Sequence, residues 1–562
     1  MELSEFRNIA HTHLRAGTLP SQSLLDALCQ SLSLFHSQLE SLEAKQRGLE
    51  SIAEQADIDT DPPSDHSPSA HLAEIRQSVL AIQEAVHAYY ALFAPIRRLP
   101  TDILQTIFLI SLPSFTYIPP YRDQVPILFT HVSYLWRRVA ASMPQLWSSM
   151  EILLPVSPSQ GAENMVLHAT DLWLRRAASM PLTLCLRGRA ASAILLMAKL
   201  NAYRSQWQEL ILHHDDHPSS LLPGEGDTPI LEVFELRRHG LHSLDGAQYP
   251  EIYSVVNSSC QLRRLVWYVY PLPSMDRWDK LLFLDIGVAV SVAVCANILT
   301  SCPLLMEVAF RHLDDSTIHP NPPVLHSELR SFTAYTDLDL ETIIPYLTFP
   351  KLQELVLTIR NHMNDGDTTD GFEWPRSEIS KFFLRSRCSL RTLTLYFPPL
   401  TESSLIQCLQ DVQDTLEELT LQLLIVPSTI ITDHVIDLMM HNEDEHGEEN
   451  ESDGLDSGAG RSLCLCPRLQ VLALYNCVAC SPGRLAAMVK SRMKASVLPE
   501  TNPRYVARMR MVECFDVEQD LNLLKELAKE GLALKVYSSE TGVQTDWEQA
   551  PNDNDQDITS SS

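Results

Sequence analysis

Near the N-terminus apolar residues recur in alternating steps of three and four. Leu25, Leu28, Leu32, Phe35, Leu39, Leu42, Leu49 and Ala53 form one series, with Gln46 in its single polar slot. This spacing predicts a heptad helix. A second series, Leu72, Ile75, Val79, Ile82, Val86, Tyr89 or Tyr90, and Phe93, begins after a breaker from Asp57 to Ala70 that contains Pro62, Pro63 and Pro68. Each arm spans about four heptads. The pair either folds back as an antiparallel hairpin, which the long linker favours, or self-associates through the heptad helices of a second chain.

The pattern then changes to short helices. Ile103, Leu104, Ile107 and Phe108 lie at i, i+1, i+4 and i+5, behind Pro100 with its preset φ and Asp102 near the positive helix end. A second helix is predicted from about Ile127 to Ala141, with Leu128, Val132, Leu135 and Val139 on one side and Trp136 beside them. A segment of about 50 residues cannot bury this much apolar surface alone, so a partner or the rest of the chain must cover it.

Farther on, the pattern L-x-x-L-x-L recurs, with other apolar residues as substitutes. It occurs at Trp207-Leu210-Leu212, Leu231-Phe234-Leu236, Leu262-Leu265-Trp267, Leu305-Val308-Phe310 and Leu329-Phe332-Ala334. Strict matches follow at Leu352-Leu355-Leu357, Leu390-Leu393-Leu395, Leu416-Leu419-Leu421 and Leu469-Leu472-Leu474. The intervals cluster near the length of a leucine-rich repeat, and the longest contains an acidic tract that reads as a loop insertion. In such a repeat the middle of the motif is a short strand, the next segment returns as a helix, and neighbouring units cover one another's core. Residues 291–299, 377–384, 403–412, 432–440 and 482–493 suit the returns. Residues 146–154 and 182–186 suit opening strands, and 532–536 a closing one after a helix near 521–527. The expected fold class is α/β: an N-terminal helical hairpin or coiled coil, a small all-α module, then an irregular solenoid with strand plus helix per repeat.

The chain has 562 residues, 45% hydrophobic and 20% charged, enough for a large core and two to four domains. Its net charge of -28 argues against a nucleic-acid partner, although much of it is local: Glu443 to Asp456 holds eight acids and no Lys or Arg. Such tracts are usually solvated loops; a docking or phosphorylation segment around Ser452 and Ser457 is the sharper alternative. No secretory signal is evident at Met1 to Leu19, and the most apolar window, Ile286 to Leu299, is too short for a membrane span and reads as a buried helix. Twelve scattered cysteines fit reduced thiols in the cytoplasm or nucleus.

The stretch from Pro95 to Trp147 resembles an F-box. The family pattern of Leu-Pro, an acidic residue, Ile or Leu-Leu and Ile-Phe, then Val-Cys-x-x-Trp-Arg and, in fungal members, Pro-x-Leu-Trp, is matched by Leu99-Pro100, Asp102-Ile103-Leu104, Ile107-Phe108, Val132-Ser133, Trp136-Arg137 and Pro144-Gln145-Leu146-Trp147. Asp102 stands for the usual Glu and Ser133 for Cys, and the linker from Ser114 to Val125 is long and rich in Pro and Tyr. The repeats, several introduced by Cys-Pro-x-Leu or a relative of it, resemble those that fungal F-box proteins carry. Spacing, composition and the resemblance together divide the chain into residues 1–56 with the first heptad helix, an acidic, Pro-containing linker at 57–70, a second heptad helix at 71–94, the F-box at 95–144, leucine-rich repeats at 145–538 with an acidic insertion at 441–460, and an expected disordered acidic tail at 539–562. The resemblance further implies a non-catalytic, substrate-recognition subunit of a cullin-RING ubiquitin ligase. Leu99, Pro100, Ile103, Leu104, Val132 and Trp136 would face the ligase adaptor, and the repeats would hold an unidentified protein target. A leucine-rich-repeat scaffold outside any ligase is the alternative.

The residue after the last leucine of each motif forms a column: His213, Arg237, Tyr268, Arg311, Tyr335, Thr358, Tyr396, Gln422 and Tyr475. Arg237, Tyr268, Arg311, Tyr335, Tyr396 and Tyr475 suit a recognition surface for the target, because large rigid side chains give contact area at low entropic cost. Equally, tyrosine favours half-buried sheet faces. No metal or cofactor is expected. Cys464-x-Cys466 and Cys477-x-x-Cys480 have zinc-like spacing, but the repeat already explains Cys466 and Cys477. His213-His214-Asp215-Asp216 would point to alternate sides of an extended segment. No G-x-S-x-G elbow, phosphate loop or H-E-x-x-H helix is present.

Overall fold

A computed structural model describes residues 2–16, 18, 20–56, 68–95, 99–114, 116–154, 160–188, 193–214, 227–238, 250–269, 271–314, 323–336, 340–359, 374–423, 430–441, 464–494, 505–515, 518–537 and 544–547. Most of the linker at 57–70, nearly all of the acidic insertion at 441–460 with Ser452 and Ser457, the pair Asp215 and Asp216, and most of the tail lie outside the described residues. The chain forms two compact units, residues 1–224 and 225–562.

In the first unit both heptad series are helical, as α2 (Gln22–Ala56) and α3 (Pro68–Phe93), preceded by α1 (Leu3–Ala16). Glu50 pairs with Arg76 at 2.7 Å, Glu43 with Gln83 at 3.4 Å, and the His36 ring stacks on Tyr90. One index falls as the other rises, so α2 and α3 run antiparallel within the chain. Leu28, Leu32, Phe35, Ile75, Val79, Ile82 and Val86 are buried along the seam. Helix α1, which no periodicity singled out, covers it further: Phe6 is fully buried edge-on to Phe35 at 5.0 Å, and Arg7 pairs with Glu84 at 2.7 Å.

Three short helices follow: α4 (Thr101–Ile110), α5 (Phe129–Val132) and α6 (Tyr134–Ala141). The single helix expected from Ile127 to Ala141 is interrupted at Ser133, whose backbone is extended (φ -156°) and whose hydroxyl accepts from the Trp136 N–H at 3.2 Å. A serine that caps a new helix competes with continuation of the old one. Pro144–Trp147 form a 3₁₀ turn, so the first strand opens at Ser149 and not at Leu146, and Trp147 belongs to the turn. Strands Ser149–Leu153, Leu182–Arg187 and Trp207–His214 are parallel, with helices Gln160–Ala177 and Ala193–Asn201 between them.

The second unit alternates strand and return in an open, solenoid-like α/β arrangement. Strands Val233–Arg238, Arg264–Trp267, Phe283–Ile286, Glu307–Asp314, Ser331–Thr336, Glu354–Ile359, Thr392–Tyr396, Glu418–Gln422, Val471–Tyr475, Met511–Phe515 and Ala533–Tyr537 pair in parallel and in chain order. Gln544–Trp547 adds an antiparallel partner to the last. Leucine at the motif's first position is buried just ahead of the strand, as at Leu352, Leu390, Leu416 and Leu469, and the other two point inward from it. Leu355, Leu393, Leu419 and Leu472 stand in register across four strands, as do Leu357, Leu395, Leu421 and Leu474. Each fully buried leucine contributes roughly 1.5–3 kcal/mol. Helices Val292–Ser301, Arg376–Ser386, Glu402–Val412, Asp433–Met439, Arg484–Lys494 and Glu518–Lys529 form near the expected returns, and the hydroxyls of Ser291, Thr401 and Thr432 cap three of them.

Two of the parallel strands, Phe283–Ile286 and Met511–Phe515, are not among those expected from the sequence. Their spacing is the same in diluted form, Leu281-x-x-Leu284-x-Ile286 and Met509-x-x-Val512-x-Cys514, and all six side chains are buried.

Candidate binding surfaces

In the first unit, Leu104 and Phe108 point inward from α4. The Phe108 ring stacks on Phe129 at 4.1 Å, and Trp136 lies edge-on to both, at 4.9 and 5.9 Å. Arg137 Nε donates to the Thr130 carbonyl at 2.6 Å, holding α6 to the end of α5 across the Ser133 break. These contacts keep three short helices, individually too short to persist in water, in one arrangement. The outward side stays apolar. Ile103 is 44% exposed, Ile110 79% and Val132 51%, with Leu128 also exposed and Ile107 half-buried. Ile103, Ile107 and Ile110 follow i, i+4, i+7 and make one stripe. Of the residues assigned to an adaptor, Ile103, Val132 and Pro100 are exposed, Leu99 and Trp136 are half-buried, and Leu104 is fully buried. Leu104 therefore serves the internal core beneath the stripe, because its position in α4 faces Phe108's side and not the isoleucines'.

In the second unit the column of final motif residues lines up across the sheet face opposite the leucines. Tyr335 pairs with Thr358, Thr358 with Tyr396, Tyr396 with Gln422, and Gln422 with Tyr475. Part of the column is tied down by carboxylates that lie two residues earlier on the same face. Asp285, 1% exposed, accepts from Arg311 Nε and Nη2, both at 3.0 Å, and from the Tyr268 hydroxyl at 3.3 Å. Arg311 Nη1 donates to the Tyr335 hydroxyl at 2.8 Å. The Asp285 hydrogen bonds and charge raise the Arg311 guanidinium's affinity for its proton in spite of burial. Burial, with the Asp285 charge adding to it, pushes the Tyr268 hydroxyl above its ordinary value.

The Tyr268 ring occupies the space above Gly287, where an added Cβ would come within 2.2 Å of it. A glycine next in register is what lets that ring lie flat across the face. Glu235 does for Arg237 and Arg264 what Asp285 does for Arg311, at 3.1 and 2.6 Å. Burial alone would raise the Glu235 carboxyl, but the two guanidiniums outweigh it and hold it below the usual value. Tyr475 donates to Glu513, and burial together with that carboxylate pushes the phenol well up.

The structure thus brings Tyr268, Arg311 and Tyr335 into one network, sets Arg237 in a neighbouring ion cluster, and leaves Tyr396 and Tyr475 half-buried farther along. Asp285, Glu235 and Glu513 are absent from the sequence reading, and Asp285 sits on one of the strands it passed over. Between the column and the start of each strand runs a lane of small or short side chains, Ala309, Thr333, Val356, Thr394, Thr420 and Ala473. Thr358 is 7% exposed and its hydroxyl has no hydrogen-bond partner. An unsatisfied buried group of this kind costs about 1–3 kcal/mol.

Of the four cysteines with zinc-like spacing, Cys464, Cys466 and Cys477 are part of the core and Cys480 is half-buried. Cys466 and Cys477 donate to the carbonyls of Leu409 and Leu421, and burial pushes both thiols up to about 12. Cys464 contacts Arg492, a fully buried cation whose guanidinium donates to the carbonyls of Met439, Leu465, Cys466 and Leu469. Among the described residues no three His, Cys, Asp or Glu side chains converge as metal ligands, and no helix is long and apolar enough to cross a membrane. No family model matches the chain, and no curated protein matches it.

Proposed function

We propose that the chain is the substrate-recognition subunit of a cullin-RING ubiquitin ligase, acting in the cytoplasm or nucleus. The F-box-like segment docks on the ligase adaptor, and the leucine-rich-repeat-like sheet face of the second unit holds a protein target. The observation that carries the first half is the stripe of Ile103, Ile107 and Ile110 with Val132 and Leu128, left open to solvent above a core that fixes the helices bearing it. Apolar side chains that a monomer leaves exposed as a patch mark an interaction site. The second half is supported by aromatic side chains on a rigid parallel sheet, and residues within it act by binding, with transfer chemistry left to other subunits.

The test is co-expression with the adaptor followed by affinity purification. Ile103→Asp with Val132→Asp changes two exposed positions, so the fold should persist while adaptor recovery drops at least tenfold; Leu99→Ala with Pro100→Ala should act in the same direction. Undiminished recovery with the double aspartate variant would sink the docking assignment and leave the scaffold reading.

A further inference from the structure

Strands of the second unit alternate in what they present on the face away from the leucines. Glu307, Glu354 and Glu418 occupy the first position of every second strand, and Tyr335, Tyr396 and Tyr475 stand at the fifth position of the strands between them. Strands lie about 4.8 Å apart, so both the carboxylates and the tyrosines repeat every ~10 Å. Small side chains separate the two rows. Three arginines on this face are already used: Arg237 and Arg264 on Glu235, and Arg311 on Asp285. No basic side chain pairs with Glu307, Glu354 or Glu418 among the described residues. The unpartnered Thr358 hydroxyl lies between Tyr335 and Tyr396, in the tyrosine row.

A polyproline II segment has three residues per turn and a rise of about 3.1 Å, so its side chains repeat on one side every ~9.3 Å. That period matches the sheet's two-strand period, whereas the same-side repeat of a β-strand, about 6.8 Å, does not. Proline-rich polyproline II segments dock on aromatic surfaces and arrive already ordered. The charge row selects the partner's sign. The chain's own segments at 360–373 and 442–463 are dominated by acids and have the wrong sign for this groove.

We propose that this face binds a polyproline II segment of a partner protein that carries Lys or Arg at every third position, its cations on Glu307, Glu354 and Glu418 and its prolines over Tyr335, Tyr396 and Tyr475. Thr358 is then positioned to hydrogen-bond the segment's backbone. The inference names the target class for the repeat face and rests on the target-binding half of the proposed function.

The test uses the full chain and a fluorescein-labelled peptide of four Lys-Pro-Pro repeats, read by fluorescence polarisation at 50 mM and 200 mM salt. Saturable binding is expected, weaker at the higher salt. A peptide of the same composition with its lysines clustered at one end should bind at least tenfold more weakly, as should Glu307→Gln/Glu354→Gln/Glu418→Gln toward the original peptide. Tyr396→Ala should weaken binding at low and high salt alike. No saturable binding, equal affinity for the clustered peptide, or an unaffected triple variant overturns the proposal. Adaptor co-purification is measured separately on the parent chain. Peptide binding without adaptor recovery would refute only the ligase reading, and adaptor recovery without peptide binding only this one.

Discussion

Replacing Arg311 with methionine isolates the energetics of the sheet face. Arg311 makes a two-pronged bond to Asp285, both distances 3.0 Å, and Asp285 is almost wholly buried. The methionine keeps the aliphatic stem and removes the cation, leaving a buried carboxylate with only the Tyr268 hydroxyl and freeing the Tyr335 hydroxyl. Removing one member of a buried pair costs about 3–5 kcal/mol, but the Arg311 side chain is one-third exposed, so solvent screening reduces the expected loss to about 2–3 kcal/mol. That corresponds to a 30- to 150-fold rise in local opening, at roughly 1.4 kcal/mol per decade. Hydrogen exchange read by mass spectrometry resolves it by segment. The rise should appear in 283–286, 307–314 and 331–336, with the α2/α3 hairpin unchanged. Asp285→Val with Arg311→Met removes both charges and should return protection to within about 1 kcal/mol of the parent. A rise below threefold in the single variant, or no recovery in the double, would refute the reasoning.

Leu104→Ala should lower the stability of the first unit by about 2–5 kcal/mol in chemical denaturation, because the leucine is fully buried. Arg492→Leu strands several carbonyls and should cost 3 kcal/mol or more, seen as faster exchange around 464–469 and 484–494. Gly287→Ala forces the Tyr268 ring aside and should destabilise by about 1–3 kcal/mol, with faster exchange in 264–267 and 283–286. The Glu235 carboxyl is held low when folded, so its contribution is complete above the usual carboxylate pKa and is lost as pH falls through the lowered value. Glu235→Gln should therefore be less stable than the parent at pH 7 and lose less on acidification, as acid-unfolding curves would show.

The helical returns and most strands were legible because their signals are periodic. A seam with steps of three and four, and a leucine triplet before each strand, survive substitution since many apolar residues satisfy burial equally well. The strand at 283–286 escaped because a neighbouring apolar run, Val288 to Leu299, masks its spacing. With it went Asp285. The break at Ser133 was missed for another reason: its helical and capping roles differ in free energy by about 1 kcal/mol, which packing of Phe108, Phe129 and Trp136 decides.

By itself the sequence determined where apolar surface must be buried, and with it the two heptad helices, the alternation of strand and return, and the inward direction of each leucine. Register, charge pairing and exposure belonged to the tertiary structure. Leu104 and Ile103 are adjacent and equally apolar, yet one is interior and the other open, because helical geometry turns them to different sides of α4. Arg311 and Asp285 are separated by 26 positions and meet only because two strands pair in parallel. Hydrophobic periodicity is local along the chain, whereas a carboxylate, a tyrosine row and an arginine become a surface only when several strands fix their spacing.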